Sequence, residues 1–455
     1  MQKSSLIGKY NVPGPRYTSY PTVPYWDAER FSISDWTTSL KQMFKSSNSK
    51  EGISLYIHLP FCESLCTFCA CHKHITKRHQ LEAPYIDTLI KEWKMYVALF
   101  DQKPIIKELH LGGGTPTFFS SKELKRLVES LFKYAEVHPK YNFSFEAHPN
   151  QTTLEQLQVL FDLGFTRLSL GIQDYNDKVQ KAIKRVQSFQ QVEKVTNQAR
   201  SIGYQSISHD LIYGLPFQDL TMIKATVEKT KKLSPDRIAF YSYAHVPWVK
   251  GVGQRGFDES NLPSSDQKRV LYQTGKSLLE QVGYHEIGMD HFSLKEDALY
   301  QAKESKVLHR NFMGYTQNQT KVMIGLGMSA IGDSWGAYAQ NVKTVKAYQE
   351  LVAKGEFPLL RGHLLREEDL IIRKHILNLM CQFETSWEDE KMLFSSLEEQ
   401  LFKLEPMQKD GLIEISNNRL RVKEEGKPFL RNVCMAFDLR LQRDKPQTKL
   451  FSMTI

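Results

Sequence analysis

The sequence lacks a long hydrophobic run. Its first thirty residues contain no apolar stretch of the length that a signal peptide needs, and no later stretch approaches the roughly eighteen apolar residues of a membrane-spanning helix. The hydrophobic pattern is therefore not that of an exported or membrane-embedded protein. We expect a cytoplasmic location.

Cysteine is also scarce. The chain of 455 residues has six cysteines, which are too few for a disulfide scaffold. Four of the six nevertheless lie within residues 62–71. Such crowding in a reducing compartment indicates a metal centre rather than disulfide bonds.

Charge of one sign is not concentrated anywhere in the chain. Sixty Lys and Arg residues stand against 51 Asp and Glu residues, which gives a net charge of +9, and no run of five charges shares one sign. This pattern weakens a nucleic-acid-binding interpretation and allows an anionic substrate. The composition, with 41% hydrophobic and 11% aromatic residues, is that of an ordinary folded protein. Its length allows two or three domains at roughly 150 residues each.

Short β-rich runs alternate with helical patterns from about residue 51 to 294, as a parallel sheet wrapped by helices requires. The predicted strands are ISLYIHL, KELHLGG, YNFSFEAH, TRLSLGIQ, SISHDLIYG and RIAFYSYAHV. Gly164, Gly203 and Gly283 mark helix ends, and Ser120 and Thr152 each precede a Glu at capping-box spacing, which marks helix starts. We predict an α/β fold with a partial or complete barrel, and we assign residues 51–345 to it.

Two segments fall outside this alternation. Residues 1–50 form an N-terminal arm and lead-in whose first part, rich in Pro, Tyr and Gly, predicts an extended aromatic segment rather than a core element. Residues 346–455 form a mainly helical C-terminal domain with two short strands around Asn417 and Asn418. Helices followed by a hairpin resemble a winged-helix module, and DNA binding is the minor alternative there because a fold does not fix a function.

Three cysteines in one loop carry the main chemical signal. Cys62, Cys66 and Cys69 follow the first predicted strand at offsets of four and three. Three thiolates can hold three irons of a [4Fe–4S] cluster, which leaves the fourth iron open to a substrate or cofactor. Zinc is the alternative, and His72 and His74 keep it open, although zinc sites usually use paired CxxC knuckles or a His pair.

The CxxxCxxC loop, with aromatic Phe68 before its last cysteine, resembles the signature of the radical S-adenosylmethionine (SAM) enzymes. The resemblance implies a (β/α)6-type partial TIM barrel and a [4Fe–4S] cluster whose open iron is chelated by SAM. In that superfamily, an electron from the cluster cleaves SAM to a 5′-deoxyadenosyl radical.

Four further features resemble one family within that superfamily, the oxygen-independent coproporphyrinogen III dehydrogenases, also called oxidases. They are Cys71 two residues beyond the cluster motif and the segments RYTSYP (16–21), RNFMGYT (310–316) and RNVCMAFD (431–438). The resemblance extends over essentially the whole chain. It implies anaerobic oxidative decarboxylation of two propionates of coproporphyrinogen III to vinyl groups, which yields protoporphyrinogen IX for haem biosynthesis.

The resemblance also implies site residues. Those expected to contact SAM are Tyr56, Phe68, Gly113, Gly114, Thr115, Glu146, Gln173, Arg185, Asp210, Ala244 and Ile331. Family members bind two SAM molecules. Phe68, Gln173, Arg185, Asp210 and Ala244 match the second site, whereas Ile331 matches the first.

The sequence supplies its own reasons for some of these assignments. Glu146, Gln173 and Asp210 lie towards the ends of predicted strands, where barrel enzymes assemble their sites. Tyr56 is predicted to end the first strand and Arg185 to lie on a helix, so a buried strand tyrosine and a solvated helix arginine are the alternative interpretations. We assign catalytic roles to Tyr56, Arg185 and Cys71.

Cys71 is implied to be required without being one of the three ligands. Cys381 and Cys434 lie in apolar helical patterns and are interpreted as core residues. His72 and His74 depart from the asparagine and aliphatic residue usual in the family, so substrate handling could differ.

The expected partners are coproporphyrinogen III, an electron donor and an unidentified terminal electron acceptor, with neither nucleic acid nor membrane and with the protein as a monomer. The alternative functions are a haem chaperone that keeps the radical SAM barrel, or a related radical SAM enzyme acting on another tetrapyrrole. That chaperone group typically lacks the fourth cysteine and segments like RYTSYP and RNFMGYT, all of which are present here.

The N-terminal arm is expected to close over the substrate. Arg16 would pair with a propionate, and Tyr17 and Tyr20 would offer aromatic surface to the tetrapyrrole. The alternative is a disordered terminus or a strap on the barrel.

Overall fold

The computed structural model describes residues 3–27, 29–249, 253–254 and 256–454. The α-helices are Lys3–Tyr10 (α1), Ile33–Glu51 (α2), Glu82–Val97 (α3), Ser121–Phe132 (α4), Leu154–Asp162 (α5), Asp177–Ala182 (α6), Phe189–Ile202 (α7), Leu220–Leu233 (α8), Ser265–Gln281 (α9), Ala298–Glu304 (α10), Val345–Ala353 (α11), Glu367–Gln382 (α12), Leu397–Lys403 (α13), Glu405–Lys409 (α14), Leu430–Phe437 (α15) and Leu439–Arg443 (α16). Short 3-10 helices lie at Val23–Tyr25, His79–Leu81, Pro116–Phe118, Glu259–Asn261, Glu390–Met392 and Glu424–Phe429. Within the described ranges, no helix is both long and apolar enough to cross a membrane.

The strands are Ile53–Leu59 (β1), Phe61–Cys62 (β2), His74–Ile75 (β3), Ile105–Gly113 (β4), Glu136–Ala147 (β5), Phe165–Gln173 (β6), Ser206–Tyr213 (β7), Arg237–Ser242 (β8), His285–Gly288 (β9), His291–Ser293 (β10), His309–Asn311 (β11), Gly314–Thr316 (β12), Met323–Leu326 (β13), Ile331–Asp333 (β14), Ala337–Asn341 (β15), Leu359–Leu364 (β16), Glu384–Ser386 (β17), Ile413–Ser416 (β18) and Arg419–Val422 (β19).

One sheet of twelve strands dominates the molecule, in the order β16-β15-β14-β13-β1-β4-β5-β6-β7-β8-β10-β9. The neighbours from β13 through β8 pair in parallel, and the strands beyond them pair antiparallel. Because β16 and β9 are the two edges, the barrel is open. The chain is therefore an α/β protein with a partial barrel, as the alternating pattern predicts.

Each of the six predicted strands is present, as β1 and β4 through β8. Their outward side chains, such as Leu55 and Phe145, are fully buried against the helices, where they meet Trp36 of α2 and Trp93 of α3. Inward positions are polar, because strand side chains alternate between the two faces. The hydrophobic core thus lies between sheet and helices, and the inner face is left for chemistry.

The residues predicted to mark helix starts and ends do so in the structure, except that one predicted cap is displaced by one residue. Gly164, Gly203 and Gly283 all have positive φ, and Gly203 is the left-handed residue that ends α7. Ser120 caps α4 by accepting from the amide three residues on. The predicted cap at Thr152 is wrong by one residue, because Thr153 forms the capping box of α5 with a Gln instead of a Glu.

The N-terminal arm is not the extended, surface-lying segment that the composition predicts. It contains helix α1, and Tyr10, Tyr17, Tyr20 and Trp26 are buried. The three tyrosines pack in the core of the C-terminal region, where burial of their rings is more favourable than exposure to water. In this arrangement, Tyr17 and Tyr20 cannot stack on a ligand.

A set of hydrogen bonds that we call the terminal clasp joins residues 10–17 to Arg431, Asn432 and residues 452–454. Arg431 donates to the carbonyls of residues 14, 15 and 453. Asn432 donates to the carbonyl of residue 10 over 2.8 Å. The clasp holds the start of the chain against its end.

The C-terminal region contains the predicted helices and the hairpin, β18 and β19, with Asn417 and Asn418 at its turn in positive φ. A third strand, β17, pairs with β19 and was not predicted. Cys381 and Cys434 are buried core residues, as expected. The division of the chain at residues 50 and 345 stays a prediction; α2 packs on the barrel core and β16 extends the large sheet beyond residue 345.

Candidate active site

Four neighbouring parallel strands bring polar residues or glycine to one mouth of the barrel. Gly113 ends β4 and Gln173 ends β6. Glu146 lies one residue before the end of β5, and Asp210 lies three residues before the end of β7. Because parallel strands point the same way, these ends meet at one edge. The Gly113 amide donates to Glu146 Oε2 over 3.2 Å, which ties two of the strand ends together.

The glycine loop after β4 brings bare backbone to this mouth. Gly113 has a φ of +119°, and a Cβ at Gly114 would lie 2.4 Å from the Pro60 carbonyl oxygen. The Gly114 amide donates to the carbonyl of Leu59 over 2.9 Å, and Thr115 is buried beside it. The three residues expected to line the cofactor site therefore form a tight turn, in which any side chain larger than hydrogen at Gly113 or Gly114 would be obstructed.

The cysteine-rich loop, residues 60–75, covers the mouth from the side of β1. Strands β2 and β3 pair within it. Thr67 anchors the loop because its amide donates to the Ile183 carbonyl and its hydroxyl to the Ala182 carbonyl, each over 3.0 Å. The loop is thereby fixed to the end of α6.

Three partly exposed thiols of this loop fit an iron–sulfur cluster. Cys62 Sγ lies 3.3 Å from Thr115 Oγ1, and Arg185 Nη1 lies 3.8 Å from Cys66 Sγ, where its charge offsets that of a thiolate. In the described part of the chain, no three Cys, His, Asp or Glu side chains converge as ligands of a single ion would. In a cubane each thiolate binds a different iron, so the thiols of Cys62, Cys66 and Cys69 need not converge.

The thiols differ in acidity. Burial raises the pKa of the Cys62 thiol to about 11. The pKa of Cys69 is lowered to about 6, chiefly by a hydrogen bond with the Cys71 side chain, and the same hydrogen bond raises the pKa of Cys71. Cys71 thus lies beside the ligand loop, in an exposed position. Its role in catalysis stays a prediction.

Tyr56 lies in the middle of β1, not at its end as predicted, because the strand continues to Leu59. Its hydroxyl lies 3.0 Å from His58 Nδ1, and His58 Nε2 lies 2.9 Å from the His72 carbonyl oxygen. A carbonyl only accepts, so Nε2 donates to it and Nδ1 accepts from Tyr56. Burial lowers the pKa of His58 to about 4, which keeps the ring neutral. The phenol of Tyr56 is therefore fixed in direction, with its oxygen lone pairs free.

Glu146 is held ionised by its neighbours. His110 Nε2 lies 3.5 Å from Glu146 Oε1, and His110 Nδ1 lies 2.8 Å from Ser144 Oγ. Burial alone would raise the pKa of Glu146, but the hydrogen bonds from His110 and from the Gly113 amide hold it below its ordinary value. The Tyr56 ring stacks on His110, so tyrosine, histidine and carboxylate form one layer.

Arg185 lies in the loop after α6, not on a helix as predicted. The helix ends at Ala182, and the Arg185 amide donates back to the Gln180 carbonyl over 2.9 Å, which closes the helix end. Arg185 Nη2 donates to the Gly171 carbonyl over 2.6 Å, while Nε is buried without a partner. A buried donor without an acceptor at the mouth suits an anionic group such as the carboxylate of SAM.

Asp210 has the opposite protonation tendency to Glu146. Burial, together with the nearby charge of Glu146, raises the pKa of Asp210 to about 7, although Ser169 donates to its Oδ1 over 2.9 Å. Two carboxyl groups in one mouth therefore differ, with one ionised and the other half protonated near neutral pH. They can accept and donate hydrogen bonds to different polar groups of a bound cofactor.

The last three expected residues, Phe68, Ala244 and Ile331, lie around the mouth. Gln254 donates to the carbonyls of Phe68 and Ala244, over 3.0 Å and 2.9 Å, and so binds the cysteine loop to the chain after β8. Ile331 begins β14, and its carbonyl lies against Gly325, the β13 neighbour of the strand that carries Tyr56. The structure therefore brings all the expected site residues to one end of the barrel.

Sequence reasoning missed four residues of this site. His58, His110 and Ser169 are inward residues of β1, β4 and β6. The alternation of strand side chains between two faces could have indicated them from the expected site residues on the same or neighbouring strands. Gln254 lies in an irregular segment and shows no pattern that could have revealed it.

A cavity of about 850 Å³ lies outside this mouth, between α9, the N-terminal arm and the C-terminal region. Arg16, Ser242, Asp290 and Arg431 are among the residues that line it. Ser242 is the last residue of β8, and Tyr213, which also lines the cavity, is the last residue of β7, so the cavity borders the barrel mouth at these two strand ends.

Comparisons with known proteins agree on one family. The Radical SAM superfamily matches residues 56–230. Oxygen-independent coproporphyrinogen III oxidase of Helicobacter pylori is 38% identical over 460 residues, covering 99% of this chain and 98% of that protein, and the protein of the same description from Escherichia coli K12 is 37% identical over 459 residues, with the same coverage. The solved structure of coproporphyrinogen III oxidase from Escherichia coli, described as a radical SAM enzyme, superposes with a TM-score of 0.89 at 35% identity, covering 96% of this chain and 99% of that one.

Proposed function

The chain belongs to the oxygen-independent coproporphyrinogen III oxidases of the radical SAM superfamily, and from this premise we propose which of its residues carry the reaction. The enzyme oxidatively decarboxylates two propionate side chains of coproporphyrinogen III to vinyl groups in haem biosynthesis. The 38% identity to such an oxidase over 99% of this chain supports this function over a haem chaperone or another tetrapyrrole-modifying enzyme.

Conversion of each propionate to a vinyl group removes one hydrogen atom from the β carbon, one carbon dioxide and one further electron. Two electrons therefore leave in all, one of them with the hydrogen atom. A bound [4Fe–4S] cluster and SAM supply the 5′-deoxyadenosyl radical that can take that hydrogen atom. The second electron must leave to an acceptor, which we propose is a separate molecule. The protein itself must hold the cofactors, orient the propionate and exclude water.

The observation that supports these roles best is the juxtaposition of three thiols with the strand-end residues. Cys62, Cys66 and Cys69 would hold the cluster, since they lie in one anchored loop with the Arg185 guanidinium against Cys66. The two cysteines outside this loop, Cys381 and Cys434, are buried in hydrophobic clusters.

SAM would lie over the strand ends, with two molecules expected side by side. The backbone of Gly113, Gly114 and Thr115 can approach its amino group closely, and the ionised Glu146 lies next to that turn. Tyr56 would contact the same molecule from β1, and Ile331 would border it.

Residues on the far side of the mouth would hold the second molecule. Arg185 offers an unpartnered Nε to a carboxylate, and Asp210 and Gln173 offer hydrogen bonds to polar groups. Phe68 and Ala244, bridged by Gln254, would enclose it. Arg185 and Tyr56 are proposed to act catalytically through these contacts.

Cys71 is proposed to serve the substrate reaction without ligating iron. It is exposed, two residues beyond Cys69, and the charges of Cys69 and of Glu146 at the mouth both raise the pKa of its thiol. An electron donor, a terminal acceptor, a monomeric state, a cytoplasmic location and the absence of nucleic-acid and membrane partners stay predictions.

The function is tested by anaerobic incubation of the reconstituted protein with coproporphyrinogen III, a reductant and SAM, followed by mass analysis of the porphyrins after oxidation. We expect protoporphyrin, with a three-carboxylate monovinyl intermediate at early times. The matched control is Cys66→Ala, which should give no product. Cluster-loaded protein that cleaves SAM but leaves all four propionates intact would contradict the assignment.

A further inference from the structure

The RNFMGYT segment contains a guanidinium without an acceptor. Arg310 lies on β11, opposite Tyr315 of β12. Its Nε and Nη1 atoms are shielded from solvent and have no hydrogen-bond partner. Arg237 and Arg373, which are buried, each pair with an aspartate, at 2.7 Å and 2.5 Å. Arg310 is only partly buried, but solvent-shielded donors without an acceptor are costly, so Arg310 is the exception that needs a reason.

Arg310 is held rigidly in place. Its guanidinium lies 4.6 Å from the centroid of the Tyr315 ring. The Tyr315 hydroxyl donates to the Met380 carbonyl over 2.9 Å and accepts from the Met289 amide over 3.0 Å, so the ring is fixed from two sides. A Cβ at Gly288 would lie 2.4 Å from that ring, which explains the glycine there. The guanidinium is thus orientated before any ligand arrives, which reduces the entropy that binding costs.

The surroundings of Arg310 carry an excess of positive charge. Arg16 Nη1 lies 3.9 Å from Asp290 Oδ2. Burial raises the pKa of Asp290, the charges of Arg16, Arg431 and Arg310 oppose that rise, and the charge of Glu286 adds to it. Three arginines therefore act on the Asp290 carboxylate, while Glu286 has its own partner in Lys276 over 2.8 Å. The donors of Arg431 are bonded to backbone carbonyls, whereas Nε and Nη1 of Arg310 have no acceptor.

Arg310 is also connected to the barrel mouth. Tyr241 of β8 feels the charges of both Asp210 and Arg310. The Tyr241 hydroxyl lies 3.3 Å from His291 Nε2, and His291 Nδ1 donates to the Met289 carbonyl over 2.9 Å. The His291 ring in turn lies 5.1 Å from the Tyr315 ring that the Arg310 guanidinium covers, so Tyr241 and His291 join β8, the strand paired with that of Asp210, to the arginine.

We propose that Arg310 binds a propionate carboxylate of the tetrapyrrole, one that is not being decarboxylated, and that Arg16 adds a second positive charge to this site. The inference rests on the proposed function and deepens it. A planar guanidinium matches a carboxylate in two parallel hydrogen bonds. Anchoring one propionate at Arg310 fixes which other propionate reaches the cofactors at Asp210.

The test measures binding separately from turnover. Anaerobically reconstituted holoenzyme is titrated with coproporphyrin III, a stable analogue with four carboxylates, and with its tetramethyl ester. We expect Arg310→Gln to weaken binding of the acid at least about tenfold, or about 1.4 kcal/mol, and to leave binding of the ester unchanged. Arg310→Lys keeps the charge but loses the fork, so its loss should be intermediate and again confined to the acid.

The matched control is Arg200→Gln. Arg200 lies on α7 and pairs with Asp236 over 2.6 Å, just before the start of β8 and so at the opposite end of the strands from the mouth. It should change neither acid nor ester binding. SAM cleavage without substrate should be the same in all variants, because none of them touches the cluster loop.

Equal affinity of wild type and Arg310→Gln for the acid would overturn the inference, and so would an equal loss for acid and ester, which indicates a packing role. Should Arg310→Gln not fold, the acid–ester comparison in Arg310→Lys decides in the same way. The proposed function fails separately: a wild type that makes no vinyl product yet shows the acid-specific effect would keep the carboxylate site and lose the reaction.

Discussion

Two regions of the molecule, the cluster mouth and the terminal clasp, are held together by different kinds of contact. The cluster mouth, formed by residues 60–75 and the ends of β4 through β7, uses contacts between neighbouring strands and within one loop. The terminal clasp joins residues more than 400 positions apart, such as Arg431 and Pro15 at 2.8 Å. The mouth leaves its thiols partly exposed, whereas the clasp buries its arginine. The first region supplies chemistry, and the second supplies enclosure.

This difference predicts that variants of the clasp leave the cluster site intact, and that variants of the cluster site leave the clasp intact. The arm carries Arg16 to Ser242 at the end of β8, where its Nη2 donates to that carbonyl over 3.0 Å. Loss of the clasp should therefore reduce substrate conversion through Arg16 but leave the cluster in place. Variants in the two regions should separate these effects.

The largest effect is expected from the thiols of the mouth. Replacing Cys62, Cys66 or Cys69 singly by Ala should abolish both the cluster and reductive SAM cleavage, because three irons need three thiolates. Iron content and the electron paramagnetic resonance of the reduced cluster measure this. Cys434→Ala, a buried cysteine beside the clasp, is the control and should keep the cluster. A full cluster in Cys69→Ala would show that Cys71 can replace it.

Replacement of Cys71 is expected to separate cluster binding from product formation. Cys71→Ser should keep the cluster spectrum and lose vinyl formation, since the residue lies next to the ligand loop without belonging to the ligand set. The measurements are cluster absorbance and porphyrin mass analysis on the same sample. Loss of iron in this variant would make Cys71 a ligand, and full activity would make it dispensable.

The next effect is expected in the clasp. Arg431→Met leaves the carbonyls of residues 14, 15 and 453 without their donor and should lower the free energy of local opening by about 3 kcal/mol. Hydrogen exchange of residues 10–17 measures this opening. Vinyl formation should fall at least about fivefold while cluster content stays unchanged, because Arg16 loses its position.

Asn432→Ala is the graded control for that variant. It removes one hydrogen bond, to the Tyr10 carbonyl at 2.8 Å, and should cost about 1 kcal/mol. A cluster lost together with the clasp in Arg431→Met would show that the two regions are not separable. Unchanged exchange of residues 10–17 would show that the arm is held by its buried tyrosines alone.

The same contrast explains what the sequence could predict. The thiols, the glycine turn and strand-end residues such as Glu146 follow from local spacing and from the common direction of parallel strands, and the structure gathers them. The sequence predicts Tyr17 and Tyr20 to face a ligand, but their environment depends on the other end of the chain. It also predicts a helix at Arg185, because the end of α6 is set by a reversal at Lys184 in positive φ, which no residue type there signals. Long-range packing leaves no period in the sequence.

The smallest effect is a pH-dependent one in the clasp region. Tyr17 donates to Asp438 Oδ2 over 3.1 Å. Burial raises the pKa of Asp438 to about 6, and the Tyr17 hydrogen bond opposes that rise. An unfolded Asp ionises near 3.9, so between roughly pH 4 and pH 6 the folded protein binds more protons than the unfolded one, and stability falls as pH rises, by roughly 3 kcal/mol in all.

Tyr17→Phe removes the bond that steadies the ionised carboxylate and should raise the pKa of Asp438 further. Its cost, about 1 kcal/mol, should therefore be present at about pH 8 and largely absent at about pH 5. Hydrogen exchange of residues 10–17, corrected for the intrinsic pH dependence of exchange, measures the difference. Asp438→Asn should remove the pH dependence altogether, since the titrating group is gone. The same cost at both pH values would mean that Tyr17 contributes only its packing, and that the carboxylate is already satisfied by the Leu441 amide, which donates to its other oxygen over 2.9 Å.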